Sequence, residues 1–489
     1  MTEKQKQELA ALSMTQVVAL LEKKETSSTE LTEIMLERAK ANQHNAYITI
    51  NDRAMQDAAK ADDRRRTGKA LSAADGVPMA LMDNFSVKGM KMTCGSRMLE
   101  SFTPPFSGTV PLRLESAGAV LLGKLNMDEF AAGNAADTSL YGAVKNPRDP
   151  ERASGGASGG PAAAVAGDAA YYAIGSDAGG AARLPASFCG VVGLKPTYGR
   201  ISRFGLAALA SSMDQAGLLH KTASDCALVL SLLAGPDPND ATSLPDPAAD
   251  YMAGLAGAEG LKGLRVGLPE EYMGQEIRED IRASIDSLAA ALREAGALVE
   301  SCRLPHAAYA LSAYYVISSA EFNSNMNRYD GVKFGYRAKD YENYDDMLLK
   351  TRREGFGDEV KRRILFGLYA LTGDRFEDYY LKGTKARTLI IEDYRQAFGQ
   401  YDLLLTPSAP VTAWPLGKAF ADPAEGYRMD FCTAAVGLAG LPALSLPWGE
   451  DGEGLPIGAQ LTGPALSEGL LLRAAHGIEQ LQGGRRSNV

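Results

Sequence analysis

The sequence predicts a single large α/β unit. Short apolar runs alternate with helical patterns, and GLRVGLP, EIREDIRASIDSLAAALREAG and ALVESCRLP follow one another as a β-α-β unit. No repeat and no long low-complexity linker divides the chain. Its 489 residues are 45% hydrophobic and 23% charged, which is ordinary for a globular protein and too apolar for a disordered one.

The elements follow in order along the chain. Residues 1–70 are predicted to be helical, with a capping box at Ser27-Ser28-Thr29-Glu30, and to pack on a core domain spanning 71–480. That domain begins with short apolar runs after Gly76, is rich in Gly and Ala over 151–200, and is mainly helical over 305–400. DLLLTPSAPV and ALSLPW indicate buried strands, LSEGLLLRAAHGIEQLQ a helix, and 481–489 a tail.

Charge and cysteine content limit the class of protein. Since 51 Lys and Arg face 60 Asp and Glu, a globally basic, nucleic-acid-coating protein is excluded, although a local basic patch is not. The five cysteines are scattered and never form C-x-x-C, so we expect no disulfide framework, no zinc site and a reducing compartment. The N-terminus lacks the apolar segment of a signal peptide, and no apolar run is long enough to span a membrane. We therefore expect a soluble, cytoplasmic protein.

The generic sequence motifs in this chain do not assign it a function. Gly156-Ala157-Ser158-Gly159-Gly160 fits the G-x-S-x-G nucleophile elbow, with His476 downstream, but no strand precedes it and His476 lies in a helical pattern. A Gly-rich turn explains the segment equally well. No Walker or Rossmann spacing occurs, so ATP or NAD binding has no support. The four histidines are far apart, which predicts surface or capping roles and no metal site.

The stretch from 76 to 215 is far more specific. GVPMALMDNFSVKGMKMTCGSRMLE, NMDEFAAG, GGASGGPAAAVAG and IGSDAGGAARLPASFCGVVGLKPTYGRISRFGL resemble the amidase signature family. GLKPTYGRISRFGL, NRYDGVKFGYRA and EGFGDEVKRRILFG are most similar to one branch, the A subunits of glutamyl-tRNA(Gln) amidotransferase. The resemblance covers nearly the whole chain. It implies an amidase-signature domain with one mixed, twisted sheet flanked by helices.

The resemblance also implies where the family's Lys, bridging Ser and nucleophilic Ser should lie. Those positions hold Met82, Ala157 and Ala181 in this chain, none of which carries the family's functional group. Because a serine hydrolase without its nucleophile loses on the order of 10⁶-fold in rate, we expect a chain that has lost its amidase activity. Natural divergence is favoured over an engineered mutant, since neighbouring positions such as Pro161 and Leu184 also depart from the family.

Two sets of residues are candidates for a remaining activity or for ligand binding. Ser158, Ser176 and Cys94 are alternative nucleophiles, although each also suits a turn or a core, and Met82 supplies no base. The resemblance assigns ligand contacts to Tyr314, Arg363 and Asp430, with Arg363 for a glutamine α-carboxylate and Asp430 for its α-ammonium. The backbone amides of Ala178 to Ala181 are expected to form an oxyanion-hole-like turn, with Ala178, Gly179 and Gly180 as ligand-binding residues.

Two hypotheses follow. The first is a pseudo-amidase that serves as a scaffold or ligand-binding subunit beside B-like and C-like amidotransferase subunits, with a glutamine-like ligand. The alternative is a working A subunit that hydrolyses glutamine to supply ammonia by an unrecognised mechanism. In both, the resemblance implies no cofactor or metal in this chain, Mg-ATP only in the B-like partner, and tRNA contact only through that partner.

Overall fold

The computed structural model describes residues 1–417 and 423–486. Within them lie eleven strands and sixteen α-helices. The strands are β1 Tyr47–Ile50, β2 Pro78–Met82, β3 Val120–Leu125, β4 Tyr172–Asp177, β5 Val192–Lys195, β6 Gln215–His220, β7 Arg265–Pro269, β8 Leu298–Cys302, β9 Leu403–Pro407, β10 Ala443–Glu450 and β11 Pro456–Thr462.

The helices alternate with these strands. They are α1 Glu3–Ala11, α2 Met14–Lys23, α3 Ser28–Ala41, α4 Ala54–Arg66, α5 Thr109–Ser116, α6 Gly159–Ala166, α7 Arg183–Cys189, α8 Ala223–Leu233, α9 Glu279–Glu294, α10 Ala310–Met326, α11 Tyr344–Gly355, α12 Asp358–Leu371, α13 Lys382–Ala397, α14 Pro423–Tyr427, α15 Ala434–Ala439 and α16 Glu468–Arg486. None of the described helices is both long enough and apolar enough to cross a bilayer.

All the described strands form one mixed sheet flanked by helices, as predicted. The order is β1-β3-β2-β4-β6-β5-β10-β11-β9-β7-β8, with β2 parallel to β3 and β4, and β4 antiparallel to β6. The predicted β-α-β unit is confirmed: β7 and β8 are parallel neighbours joined through α9, an amphipathic helix with Ile281, Ile285 and Leu288 buried. A parallel pair requires such a crossover, which makes this unit readable from sequence.

Two boundaries were predicted wrongly. The N-terminal segment is not wholly helical, because 47–50 form β1 and pair antiparallel with β3, a contact that lies far away in sequence. The predicted tail is also shorter, because 481–486 continue α16, while 487–489 lie outside the described residues. The capping box of α3 is confirmed, with Ser27 and Glu30 each accepting a backbone N–H of the other.

The sheet and a helical layer meet near the end of β4. Helix α10 packs against α12 and α13, and α7 packs against β10 and β11. Strand β4 is buried along its whole length, so its last residues and the turn that follows it are enclosed by protein. This enclosed turn, from Ala178 to Ala182, is the centre of the candidate site.

Candidate functional site

The turn after β4 is fixed by one buried carboxylate. Asp177 accepts hydrogen bonds from the backbone N–H of Gly180 at 2.8 Å and of Ala182 at 3.1 Å. Its two oxygens also accept from the Arg183 guanidinium at 3.0 Å each, and both side chains are fully buried. Burial alone raises the pKa of Asp177, but Arg183 and the other donors together hold it below its ordinary value.

The same turn leaves backbone donors free. Among the described residues, the N–H groups of Ala178, Gly179 and Ala181 have no acceptor, whereas that of Gly180 is committed to Asp177. Unpaired, fixed N–H groups beside a cavity are the kind of donor that stabilises a developing oxyanion. The predicted oxyanion-hole-like turn stays a prediction, with Ala181 as a better member than Gly180.

The three positions that match the family's catalytic residues lie around one serine. Met82, at the end of β2, is fully buried, and its Sδ lies 3.3 Å from the hydroxyl of Ser158. Ser158 follows the fully buried Ala157 and donates its N–H to the carbonyl of Ala181 at 3.0 Å. The chain thus brings the three positions together.

A small cavity opens beside this turn. It has a volume of about 20 Å³, enough for one water-sized molecule, and Ser176, Ala178, Gly179, Ala181, Leu209, Asp214, Tyr314 and Asp430 belong to its wall. Of the predicted ligand-binding residues, Tyr314, Asp430, Ala178 and Gly179 therefore meet at one place. An ideal Cβ on Gly179 would lie 2.2 Å from Cζ of Tyr314, so the tyrosine ring rests against the turn and the glycine permits that approach.

Arg363 is not in this wall. It is 3% exposed, its Nε donates to Glu359 at 2.9 Å, and its guanidinium lies over the rings of Tyr315 and Tyr427 at 5.0 and 5.5 Å. Its charge is therefore paired one layer behind the cavity. The predicted role toward an α-carboxylate stays a prediction, and it requires Arg363 to exchange Glu359 for the ligand.

Two carboxyls of the cavity wall have perturbed acidity. Asp430 accepts the hydroxyl of Tyr315 at 2.5 Å, and Asp214 accepts the backbone N–H groups of Leu209 and Ala210 at 2.9 and 3.0 Å. Burial raises the pKa of both Asp430 and Asp214 to about 7, although these hydrogen bonds oppose the rise. Both can therefore exchange protons near neutral pH.

Asp214 was missed by the sequence analysis. It immediately precedes β6, and the pairing of Gln215 with Asp177 brings it beside the turn that follows β4. The only local signal was an acidic residue next to a buried strand. Its partner strand lies about forty residues away in sequence, and antiparallel pairing at that distance is not readable from one chain.

The three alternative hydroxyl or thiol groups differ in access. Ser158 is fully buried, donates to the carbonyl of Ser176 at 2.8 Å and accepts the N–H of Ser176 at 3.1 Å, so it ties the two segments together. Cys94 is also fully buried, and burial raises its pKa far above the ordinary value. Ser176 alone of the three lines the cavity, where its Oγ accepts from Nδ2 of Asn84 at 2.9 Å.

The histidine predictions need one correction. His476 lies on α16 and pairs with Glu479 at 3.7 Å, away from Ser158, so the nucleophile-elbow interpretation has no geometric support. His220 was predicted to have a surface or capping role but is fully buried and stacks on Tyr172. Burial lowers the pKa of His220 to about 3, which keeps the ring neutral. His220 ends β6, a strand that pairs with β4 and β5 and is buried along its whole length.

Known proteins match the chain along almost its whole length. The family model described as Amidase matches residues 30–472. The A subunit of the glutamyl-tRNA(Gln) amidotransferase of Moorella thermoacetica is 48% identical over 476 residues, 97% of each chain. The protein of the same name from Thermosynechococcus vestitus is 46% identical over 463 residues, 94% of this chain and 96% of the other.

Solved structures agree. The A subunit of the glutamyl-tRNA(Gln) amidotransferase of Thermotoga maritima superposes with a TM-score of 0.80 at 35% identity, covering 96% of this chain and 95% of the other. The native peptide amidase of Stenotrophomonas maltophilia also has a TM-score of 0.80, at 31% identity and 96% of each chain.

These relatives overturn the first hypothesis of the sequence analysis. The prediction of a pseudo-amidase was wrong: similarity to proteins named as amidotransferase A subunits extends over 97% of the chain, and it favours the alternative hypothesis. The error has a physical reason. The prediction considered Ser176 as an alternative nucleophile but found no base for it, since Met82 supplies none, whereas the folded chain brings Ser176 and the carboxyl of Asp214 into one cavity.

Proposed function

Because the chain belongs to the amidase family, we propose that it is a working A subunit of a glutamyl-tRNA(Gln) amidotransferase, which hydrolyses glutamine and supplies ammonia to partner subunits. The observation that carries this proposal is the 48% identity with one such A subunit, which extends over 97% of both chains. The enclosed turn with free N–H donors supports it, since amide hydrolysis needs donors for a developing oxyanion.

The substrate carboxamide is placed at the turn from Ala178 to Ala181. The cavity of about 20 Å³ is smaller than a carboxamide, so Tyr314, whose ring rests on Gly179, moves aside when glutamine enters. Asp430 then faces the α-ammonium group and Arg363 the α-carboxylate. Oppositely charged, hydrogen-bonding partners of this kind give orientation as well as affinity.

Ser176 is the nucleophile in this proposal. Its Oγ attacks the amide carbon, and its proton passes to the Asp214 carboxylate and then to the departing nitrogen, which leaves as ammonia. Water hydrolyses the resulting ester to glutamate and restores the serine. A carboxyl with a pKa of about 7 is a suitable proton acceptor and donor near neutral pH. Met82, Ala157 and Ala181, at the family's catalytic positions, shape the pocket around Ser158 and Ser176.

The partners follow from the resemblance. A B-like subunit uses Mg-ATP to activate Glu-tRNA(Gln) and receives the ammonia, and a small C-like subunit joins the complex. Because this chain has a net charge of −9, we assign the tRNA contact to the partner. We place the complex in the cytoplasm because the five cysteines are scattered and never form C-x-x-C, as expected in a reducing compartment. No cofactor or metal is assigned to this chain.

Glutaminase turnover of the chain co-expressed with its B-like and C-like subunits tests the proposal. We expect glutamate release by the wild type and a loss of at least about 10³-fold in Ser176→Ala, because no other described serine lines the cavity. Ser445→Ala is the matched control, since Ser445 is equally buried but bonds Ser408 elsewhere in the sheet. No turnover by the wild-type complex would contradict the function. Full turnover by Ser176→Ala would contradict only the nucleophile.

A further inference from the structure

Two buried acids in the cavity wall have no cationic partner. Two complete buried ion pairs lie nearby: Asp177 with Arg183, and Arg363 with Glu359. Asp214 and Asp430, by contrast, form no salt bridge with any described residue, although they are only 5% and 7% exposed. A buried carboxylate without a counter-charge is unfavourable, so this pair of acids calls for a cation.

A tyrosine supplies an independent indication. Tyr314 is 5% exposed, and its hydroxyl has no hydrogen-bond partner in the described part of the chain. Buried tyrosine hydroxyls normally find a partner. Since this ring end lies over Gly179, which also lines the cavity, the free hydroxyl faces the same space as the two carboxyls.

We infer that this cavity is a binding site for one ammonium ion, held by Asp214, Asp430, Tyr314 and the Oγ of Ser176. Ammonium is the size of a water molecule, which is what about 20 Å³ admits, and its N–H groups point in four directions. The four side chains offer it oxygen acceptors, two of them on groups that gain from a positive charge. That the cation is ammonium rests on the proposed function, which releases ammonia beside Ser176. The ion occupies the cavity when glutamine is absent, because the α-ammonium group of bound glutamine faces Asp430.

The surroundings favour a small monovalent ion over a metal dication. Mg²⁺ demands near-octahedral oxygen coordination and keeps several waters, for which a cavity of one water has no room. Asp214 also borders a second cleft of about 250 Å³, lined in part by Arg203 and Asp240. Asp214 therefore lines both the enclosed cavity and the outer cleft.

Thermal unfolding of the purified chain with added salts tests the site without any turnover. At constant ionic strength, ammonium chloride is expected to raise the melting temperature in a saturable manner and potassium chloride to raise it less, while methylammonium and sodium chloride leave it unchanged. The shift is expected to disappear in Asp214→Asn and in Asp430→Asn, and to remain in Asp378→Asn, which changes an exposed carboxyl on another surface. Equal shifts with potassium or with methylammonium would overturn the assignment to ammonium.

A second measurement covers variants that fail to fold. Crystals of the wild-type chain soaked in thallium(I), a heavy stand-in for ammonium, are expected to show an anomalous peak between Asp214 and Asp430. Absence of that peak, or its competition by sodium as effectively as by ammonium, would overturn the site. The proposed function fails separately: ammonium binding with no glutamine turnover in the full complex rejects the enzyme and keeps the cation site.

Discussion

Three buried aspartates lie close together around one turn and differ in whether a cation pairs with them. We call Asp177 with Arg183 the matched group, and Asp214 with Asp430 the unmatched group. Asp177 is matched on all sides, by Arg183 and by two backbone N–H groups, and its pKa is held low. Asp214 and Asp430 each accept hydrogen bonds at one oxygen but form no salt bridge with any described residue, and burial raises the pKa of each to about 7.

The difference separates structure from function within one site. A buried ion pair with all its hydrogen bonds made fixes the geometry of a turn, and nothing is gained by exchanging its protons. Carboxyls left without a counter-charge are costly to the fold, and they are retained where a ligand or a proton completes them. Asp177 and Arg183 therefore fix the turn from Ala178 to Ala182, whereas Asp214 and Asp430 are available to a ligand or a proton at that turn.

Breaking the matched group should have the largest effect. Arg183→Met leaves Asp177 buried without its counter-charge, so we expect a loss of about 3–5 kcal/mol in the free energy of unfolding. Urea denaturation measures it. Lys382→Ala removes an exposed ion pair at the start of α13 and should leave the free energy of unfolding almost unchanged, because solvent screens the pair. Similar losses in the two variants would show that the Asp177–Arg183 pair does not support the fold.

The sequence predicted the parts of this site that depend on local pattern. The segment GSDAGGA indicated Ala178 and Gly179 and the resemblance assigned Tyr314, and all three line one cavity, while their contacts with a ligand stay a prediction. The β7-α9-β8 unit was found from its local pattern alone. Strand β1 was missed, since four residues with no turn signal gain their identity only from pairing with β3.

The rest of the site depends on pairings between distant segments. Asp214 reaches the cavity because β6 runs antiparallel to β4, which no local pattern reports. Arg363 was expected to face a ligand, but Glu359 precedes it by four residues on α12, and an acid–base pair at that spacing was a readable sign of internal pairing. Ser176 was noticed, yet its access to the cavity could only come from the fold.

The unmatched group should make stability depend on pH. Unfolded aspartate titrates near its ordinary pKa of about 3.9, whereas Asp214 and Asp430 titrate at about 7 in the folded chain. The folded state thus keeps protons that the unfolded state has lost, and stability falls as pH rises from about 4 to 7, by about 1.4 kcal/mol for each unit of raised pKa. Asp214→Asn should remove the part of this pH dependence that Asp214 causes. The variant should therefore become more stable relative to the wild type as pH rises.

An aspartate with the opposite shift provides the control for that series. Burial raises the pKa of Asp451, but N–H and hydroxyl donors and Arg278 outweigh it and lower the value to about 2. Asp451→Asn should therefore have a lower free energy of unfolding than the wild type at neutral pH, and this difference should shrink as pH falls toward 2. Urea midpoints between pH 2 and 8 measure both variants, with the change for Asp451→Asn expected below about pH 4 and that for Asp214→Asn above it. If the difference in stability between Asp214→Asn and the wild type did not change with pH, the Asp214 carboxyl would not be a source of the pH dependence.

Filling the contact between the turn and Tyr314 should have a smaller effect. The Cβ of Gly179→Ala would lie 2.2 Å from Cζ of Tyr314, so the ring must move, at a cost of about 1–3 kcal/mol. Gly383→Ala on α13 is the matched control. Its nearest neighbour atom would be 3.4 Å away, and helix propensity predicts a gain of about 0.5–1 kcal/mol. Thermal unfolding compares them, and a stabilised Gly179→Ala would show that the ring does not rest on the turn.

The finest comparison uses two adjacent tyrosines. The hydroxyl of Tyr315 donates to Asp430, whereas that of Tyr314 has no partner among the described residues. Removing a hydrogen-bonded hydroxyl leaves the acceptor unsatisfied, so Tyr315→Phe should cost about 1–3 kcal/mol. Tyr314→Phe removes a hydroxyl that makes no bond and should change the free energy of unfolding by less than about 0.5 kcal/mol, since nothing in the protein is left unpaired. Urea denaturation in ammonium-free buffer measures both.

In ammonium chloride, by contrast, Tyr314→Phe should reduce the stabilisation by the salt, because the ion loses one acceptor. Equal losses for the two tyrosines without ammonium would show that the Tyr314 hydroxyl is already satisfied, and the distinction between matched and unmatched groups would not extend to these side chains.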